Sequence, residues 1–157
     1  MLTVKKLSPV SRQIPEALAL AEEVFREFES PIFPPWGTDS FMRFLHGRRL
    51  KISLLTGSGA VYICCIDGET AGMAAVTERY NKSRVHLSLA FVRGRFHRQG
   101  AGRALIEKII LDHPGKDISV NASPVGYEFY NAMGFVPEDM ERMRDGLVFT
   151  PMIKKCS

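Results

Sequence analysis

The sequence predicts a mixed α/β fold in a single domain, residues 1–157. Three observations lead there. Two stretches of strand-forming residues, Val61 to Ile66 and Thr70 to Thr77, flank Asp67-Gly68, a strong hairpin-turn dipeptide. A third apolar stretch, Val85 to Val92, passes through a basic loop into a segment with helical spacing. Strand and helix patterns then alternate along the rest of the chain, with no internal repeat, linker or low-complexity segment.

Leu2 to Lys6 alternates weakly and suits a first strand. Ser11 to Glu29 predicts a helix: Ile14, Leu18, Ala21 and Phe25 share a face, and Pro15 with an acidic first half suits a helix N-terminus. Ser30 to Gly37, with three prolines and a glycine, breaks it. Phe33 and Trp36 in that break either cap the core or wall a substrate pocket. Thr38 or Asp39 is placed to cap a second helix through Phe41, Phe44 and Leu45, ending near Gly47. Arg48 and Arg49 read as its solvated end, beside the negative pole of the helix dipole. A turn around Asn81-Lys82-Ser83 precedes Val85, so three strands are expected, each antiparallel to its neighbour.

From Gly100 a helix carries Ala101, Leu105 and Ile109 on one face, widened by Ile106 and Ile110, until Pro114-Gly115 stops it. Asp117 to Asn121 is a further strand. Ser123-Pro124 opens a short helix as cap and first residue, with Val125, Phe129, Ala132 and Met133 on one face and Gly134 to end it. Gly126 inside that helix costs about 1 kcal/mol relative to alanine, tolerable where another chain or a ligand passes close by. Phe135-Val136 resumes as strand, Glu138 to Asp145 is a polar connection, and Leu147 to Ile153 is a final strand with Pro151 as an edge signal.

The net charge of +4, from 21 basic against 17 acidic residues, favours anionic small ligands without demanding nucleic acid. A nucleic-acid surface would carry a longer basic face interleaved with aromatics. Cys64, Cys65 and Cys156 have neither metal spacing nor a disulfide framework. Adjacent Cys64 and Cys65 should point to opposite faces of a strand as small apolar fillers. His46, His86, His97 and His113 show no ligand spacing, so no metal is expected. No apolar run approaches a membrane span and nothing N-terminal resembles a signal peptide. The expectation is a cytoplasmic protein with no membrane partner.

The chemistry concentrates between Leu87 and Ile110. Two glycines, Gly100 and Gly102, leave the first turn of the helix open to a ligand. Free N–H groups and the positive dipole end there suit a phosphate. Arg93, Arg95, Arg98 and Arg103 add mobile positive charge. The unit reads as a pyrophosphate cradle; its ligand-free counterpart is a packing unit with a solvated basic loop. Leu105 at the third glycine position, and no acidic residue about twenty positions on, exclude a dinucleotide fingerprint. No lysine follows the glycines, which excludes a Walker A loop.

His97-Arg98-Gln99-Gly100-Ala101-Gly102 resembles the coenzyme A-binding motif of the Gcn5-related N-acetyltransferases (GNAT), Gln/Arg-x-x-Gly-x-Gly/Ala after an apolar strand. His97 departs from the first position, with Arg98 beside it to take over the charge. Asn121 to Phe135 is similar to the family's second signature: Phe129-Tyr130 on a helix, then Gly134-Phe135 leading into a strand, with Ser123 where the family often has Asn. Asp145 to Met152 resembles the ending of one small bacterial-type branch. The likeness runs from Asp67 onward, and the first sixty residues match only in layout.

The resemblance implies a twisted, mostly antiparallel sheet with helices on both faces and a cleft where two strands splay. It implies acetyl-CoA as cosubstrate, held along its pantetheine arm by the main chain of Phe91 and Val92. Around them it implies His97, Arg98, Gln99, Gly100, Ala101, Gly102, Arg103, Ser123 and Tyr130 as cofactor-binding residues. Acetyl transfer to an amine passes through an oxyanion, which backbone N–H groups at a splayed strand stabilise, and it expels a thiolate. In the family, a tyrosine at the position of Tyr130 is the proton donor; a phenol of pKa about 10 suits an alkyl thiol of about 8.5. Tyr127, one turn earlier, is the substitute. The base stays open among Glu69, Glu78 and His86, with Ser88 behind them and a water chain to a distant carboxylate as another route.

The implied reaction is acetyl transfer from acetyl-CoA to a primary amine by direct attack in a ternary complex. A small-molecule amine stands ahead of a protein N-terminus or lysine as acceptor, and a homodimer is implied as well. Two readings from other classes compete. One is a non-catalytic acyl-CoA-binding or regulatory module; the other is a nucleic-acid binder using the Arg93–Arg103 patch.

Overall fold

A computed structural model describes residues 1–78 and 83–156. Of the expected turn at 81–83, Asn81 and Lys82 lie outside the described residues. The strands are β1 (Leu2–Lys6), β2 (Gly59–Ile66), β3 (Glu69–Glu78), β4 (Arg84–Val92), β5 (Asp117–Ala122), β6 (Val136–Pro137), β7 (Arg142–Arg144) and β8 (Leu147–Lys154). They join one sheet in the order β1-β2-β3-β4-β5-β8-β6, with β7 also on β8. Only β4 and β5 run parallel; the other described pairings are antiparallel, as expected for the three hairpin-linked strands.

Helices α1 (Ile14–Val24), α2 (Pro35–Leu45) and α3 (Arg48–Thr56) cover one face, and α4 (Ala101–Asp112) and α5 (Tyr127–Ala132) the other. Strand alternation sorts the side chains between two cores. Val61 and Ile63 of β2 join Leu20 and Val24 of α1, with Met73, Leu89 and Phe91. Ala60, Tyr62 and Cys64 join Leu105, Ile106 and Ile109 of α4. Cys64 and Cys65 do face opposite cores, and the three cysteines are free thiols.

Several boundaries differ from the sequence expectation, each for a local reason. The first helix is α-helical only to Val24; Phe25–Glu29 forms a π-helical turn and Ser30–Ile32 a 3-10 turn. Pro31 keeps an α-helix from running on past these turns, because its ring would then meet the carbonyl of Glu27. Trp36 and Gly37 belong to α2 rather than to the break. Pro34 stays extended and Pro35 is the first helical residue, so these prolines start a helix instead of ending one. The helix α3 has no counterpart in the expectation; Leu50 and Leu54, spaced by one turn, bury its inner face, and left-handed Gly57 ends it. The helix α5 begins at Tyr127, not Pro124, because Gly126 and Tyr127 first close a turn on the Ser123 carbonyl.

Two corrections concern the C-terminal strands. The polar connection contains β7, joined to β8 through Asp145-Gly146, both with positive φ. The final strand is not an edge: β8 has β5 on one side and β6 and β7 on the other. Pro151 fits because it faces the gap between the two short strands. Its carbonyl accepts from Glu138 N–H, so its missing donor points to that side and removes no bond to β5.

What positions the site is the parting of β4 and β5. Their pairing runs from Arg84–Asp117 to Leu87–Val120 and stops. On the other side of β4, Ala75 pairs with Leu89 and Val76 with Leu87, so Ser88 is an extra residue, a β-bulge. A bulge bends its strand, and here it turns Leu89–Val92 toward β3 while β5 continues along β8 to Ala122.

The β7–β8 turn is docked on α2 by two glycines. A Cβ on Gly37 would lie 2.4 Å from the Gly146 carbonyl oxygen. Gly37→Ala is therefore expected to lower stability by about 1–3 kcal/mol, the usual cost of overpacking. A lower urea midpoint at unchanged m-value would show it; an unchanged midpoint would mean that the turn is free to shift.

Candidate active site

The open edge of β4 can be read from its ladder. Arg93 N–H donates to the Ala71 carbonyl at 2.9 Å, which makes Gly72–Val92 a non-hydrogen-bonded pair. By alternation the amide groups of Phe91 face β3, while those of Ala90 and Val92 face the splay. Phe91 was expected to offer main-chain contacts to a ligand; its groups are used in the sheet, and its side chain lies in the α1-side core. The groups of Ala90 face the splay instead, and the sequence carries no sign of it, because the phase of a ladder is not written in residue types. The Val92 carbonyl is met by His97 Nε2 at 2.7 Å, so His97 ties the basic loop back to the strand.

The loop ends in two residues of positive φ, Arg98 and Gly100, which turn the chain into α4. A Cβ on Gly100 would meet nothing within 4 Å, so the first turn of α4 is open there. The N–H groups of Ala101, Gly102 and Arg103 have no intrahelical partner, since Ala104 is the first to bond back, to Gly100. The arginines divide in two. Arg93 is held by Glu23 at 2.9 Å and by the Thr70 carbonyl, and Arg95 by Glu69 at 2.9 Å, so neither is the mobile charge expected. Among the described residues Arg98 and Arg103 have no acidic partner and remain for an anion. Gln99 donates to the Arg95 carbonyl at 3.1 Å and holds the loop together.

Gly102 has a different reason from the one its motif suggests. A Cβ there would sit 2.9 Å from the Phe129 ring. The glycine lets α5 pack against the first turn of α4 and so carries Tyr130 toward the splay. Gly126 plays a similar part, since its Cβ would lie 3.2 Å from the Tyr130 ring. The group passing close to Gly126 is thus a side chain of this chain. Ser123 Oγ accepts from Gly126 N–H at 3.1 Å and fixes the turn before α5.

Tyr130 is buried between Phe129 and Phe135, whose rings meet it edge-on at 5.2 and 5.4 Å. Its hydroxyl has no protein hydrogen bond among the described residues, where no buried polar side-chain atom lacks a partner. The hydroxyl therefore opens to the cleft. Burial pushes the phenol well above its usual range, and the Glu29 carboxylate adds to the effect.

Glu29 was not anticipated. It ends the π-helical turn, partly buried, with Ser123 and Tyr130 before it. Burial raises its carboxyl above the usual range, and the nearby Ser123 hydroxyl works against that. The same turn lays Phe28 and Glu27 over Gly94, whose Cβ would lie 3.0 Å from the Phe28 ring, and Phe28 against His97 at 5.0 Å. This turn thus lies against the loop that follows β4. The expected bases lie elsewhere. Glu69 holds Arg95 beyond the outer end of the cleft, and Glu78 pairs with Lys116 at 3.2 Å at the opposite end of β3. His86 is buried in the paired section with Nδ1 2.9 Å from Ser119 Oγ. Among the described residues no group of three His, Cys, Asp or Glu could hold a metal, and no helix is long and apolar enough to cross a membrane.

Chemically, the arrangement offers an anion site at the start of α4, free amides along β4, a protonated phenol and a basic carboxylate. The free amides and the anion site fit the extended amide arm and pyrophosphate of coenzyme A. The Glu29 carboxyl has a consequence for stability. Its folded pKa is raised, so its contribution is fully present below its unfolded pKa and is lost as pH rises through the folded one. Glu29→Gln should therefore raise the melting temperature at pH 7 and lose that advantage in acid. Equal melting temperatures at both pH values would place the carboxyl in water.

The acetyltransferase (GNAT) domain model matches residues 29–156. A search of curated proteins finds no match. Among solved structures, the PaiA N-acetyltransferase of Thermoplasma acidophilum, in complex with coenzyme A, superposes with a TM-score of 0.76 at 19% identity, over 99% of each chain. The histone acetyltransferase HPA2 and related acetyltransferase of Corynebacterium glutamicum gives 0.75 at 19% identity, over 99% of this chain and 97% of the other. Escherichia coli ElaA gives 0.70 at 17% identity, over 99% and 100%. At these identities the structures establish the fold, and the domain match covers well over half of the sequence: the chain belongs to the GNAT acetyltransferase family.

Proposed function

We propose that this protein is a cytoplasmic N-acetyltransferase that moves the acetyl group of acetyl-CoA to a primary amine of a small molecule, by direct attack in a ternary complex. The observation that carries the proposal is the open edge of β4, with the Ala90 and Val92 amides facing the cleft, the α4 N-terminus at one end and Tyr130 at its wall. The PaiA structure, solved with coenzyme A, supports the cosubstrate.

Each residue then has a role. The N–H groups of Ala101, Gly102 and Arg103, with the Arg98 and Arg103 guanidiniums, hold the pyrophosphate. Val92 aligns the pantetheine arm as an added strand would be aligned, and His97 fixes the carbonyl on that edge. The Ala90 N–H is placed to stabilise the oxyanion. Tyr130, kept protonated by burial, supplies the proton that the leaving thiolate needs. The pinning of Arg93 and Arg95 by Glu23 and Glu69 reduces the basic patch and argues against a nucleic-acid surface.

Calorimetry at two salt concentrations tests the binding half. One acetyl-CoA is expected per chain, weakened about tenfold by Arg98→Ala or Arg103→Ala, the loss of a charge-assisted hydrogen bond. No binding by the folded protein would defeat the reading. Thiol release over a panel of primary amines tests the chemistry. Tyr130→Phe should keep acetyl-CoA affinity and lower kcat by about 10²–10⁴-fold. Binding without thiol release in the wild type would instead identify an acyl-CoA-binding module.

A further inference from the structure

The helix that carries Tyr130 is six residues long, too short to hold its shape unaided. Gly102 and Gly126 seat its Phe129 and Tyr130 rings. Its C-terminal end is closed by main-chain bonds. Met133 N–H donates to the Phe129 and Tyr130 carbonyls at 3.0 and 3.1 Å, and Phe135 N–H returns to the Tyr130 carbonyl at 3.0 Å. Gly134, with a φ of 92°, makes the left-handed turn this closure needs. Beyond it stands the Met133 carbonyl, which accepts from Lys154 Nζ at 2.9 Å.

Lys154 is the last residue of β8. Met152, two residues earlier, lies in the α4-side core, and strand alternation sends the Lys154 stem to the same side. The ammonium sits over Gly134, whose Cβ would lie 2.8 Å from Nζ. Lys154 is half-buried, whereas its neighbour Lys155 is exposed. Among the described residues it has no acidic partner. Its charge is spent on the C-terminal end of α5, the negative pole of that helix, through a charge-assisted bond. Lys154 is itself paired with Ile118, so the lysine joins the end of α5 to the β5–β8 arm of the cleft.

We propose that Lys154 is a positioning residue for Tyr130: its ammonium, seated on the Met133 carbonyl, fixes the end of α5 and with it the place of the phenol at the cleft. The inference rests on the acetyltransferase reading and on Tyr130 as its proton donor. In the step it serves, the C–S bond breaks with its electron pair on sulfur, and Tyr130 gives its hydroxyl proton to that sulfur. Tyr130 regains a proton from the nitrogen of the new amide, so the phenol ends as it began. Lys154 gives up no proton; it acts through the helix.

The test is a double-mutant cycle of Lys154→Met and Tyr130→Phe, followed by thiol release from acetyl-CoA with a primary-amine panel and by acetyl-CoA calorimetry. Melting curves establish that each variant is folded. Lys154→Met keeps the stem and removes the ammonium. It is expected to bind acetyl-CoA as wild type does and to lose about ten- to a hundredfold in kcat, the scale of a misplaced reacting group. Lys154→Arg, which can still donate to the carbonyl, should recover kcat to within about threefold of wild type. In the Tyr130→Phe background Lys154→Met should cost nothing further, which a general loss of structure would not produce. If Lys154→Met does not fold, the same cycle with Lys154→Gln decides. A lysine variant within about threefold of wild type, or an equal loss with and without the phenol, overturns the assignment and leaves the acetyltransferase reading intact. So does a Tyr130→Phe variant with wild-type kcat. A folded wild type that binds no acetyl-CoA, or binds it and consumes no amine, overturns the reading and the assignment together.

Discussion

After Leu87 the main chain of β4 has no strand partner on its β5 side among the described residues, and most of the site follows from that one loss. Unpaired amides inside a protein are costly, so a strand edge of this kind persists only where solvent or a ligand supplies the bonds. The Ser88 bulge produces the edge by bending β4 toward β3, and the antiparallel β5–β8 pairing holds the other arm of the cleft in place. Ala90 and Val92 point into the gap by ladder alternation alone. His97, bonded to the Val92 carbonyl, shows that the chain satisfies part of this edge from its own loop. The edge thus joins the fold to the chemistry: the same missing bonds that open the sheet are what an extended amide ligand would replace.

The two helical layers close on this gap from opposite sides, and each does so by removing a side chain. On the α4 side, Gly102 admits the Phe129 ring and Gly126 the edge of Tyr130, so two absent Cβ atoms set where the phenol stands. On the α1 side, Gly94 admits Phe28, and the tip of the β7–β8 hairpin is received by Gly37. These contacts are backbone or ring against backbone, where no flexible side chain can yield. They explain why the walls can hold a carboxylate and a phenol in partly dry surroundings with neither group tied to a salt bridge.

The hairpin strands, the glycine-opened helix and the strand after it were legible because each has a period or a turn signal of its own. Asp67-Gly68 stood out between two apolar runs; Asp145-Gly146 makes the same positive-φ turn but was hidden by its flanks, since Arg142–Arg144 is exposed along its length and reads as polar linker. Proline misled in both directions. Pro34-Pro35 begins a helix, and Pro151 sits inside the sheet opposite a gap. The open first turn of α4 was legible from its glycines, yet which arginines are free depends on Glu23 and Glu69, which are distant in sequence. Glu29 was unreadable for a related reason. One more acidic residue near the end of an amphipathic helix looks solvated, and only the π-turn directs it inward.

Glu29 and Tyr130 also constrain one another. Burial favours the neutral form of each, and the carboxylate further disfavours a phenolate beside it. Two acidic groups so placed cannot both ionise cheaply, and the carboxyl, with much the lower intrinsic pKa, ionises first. The pair therefore settles as a basic carboxylate next to a protonated phenol, one group ready to accept and the other ready to donate. Protonation of Glu29 would remove the smaller of the two influences that hold the Tyr130 pKa up, which would suit the donor role proposed for the phenol.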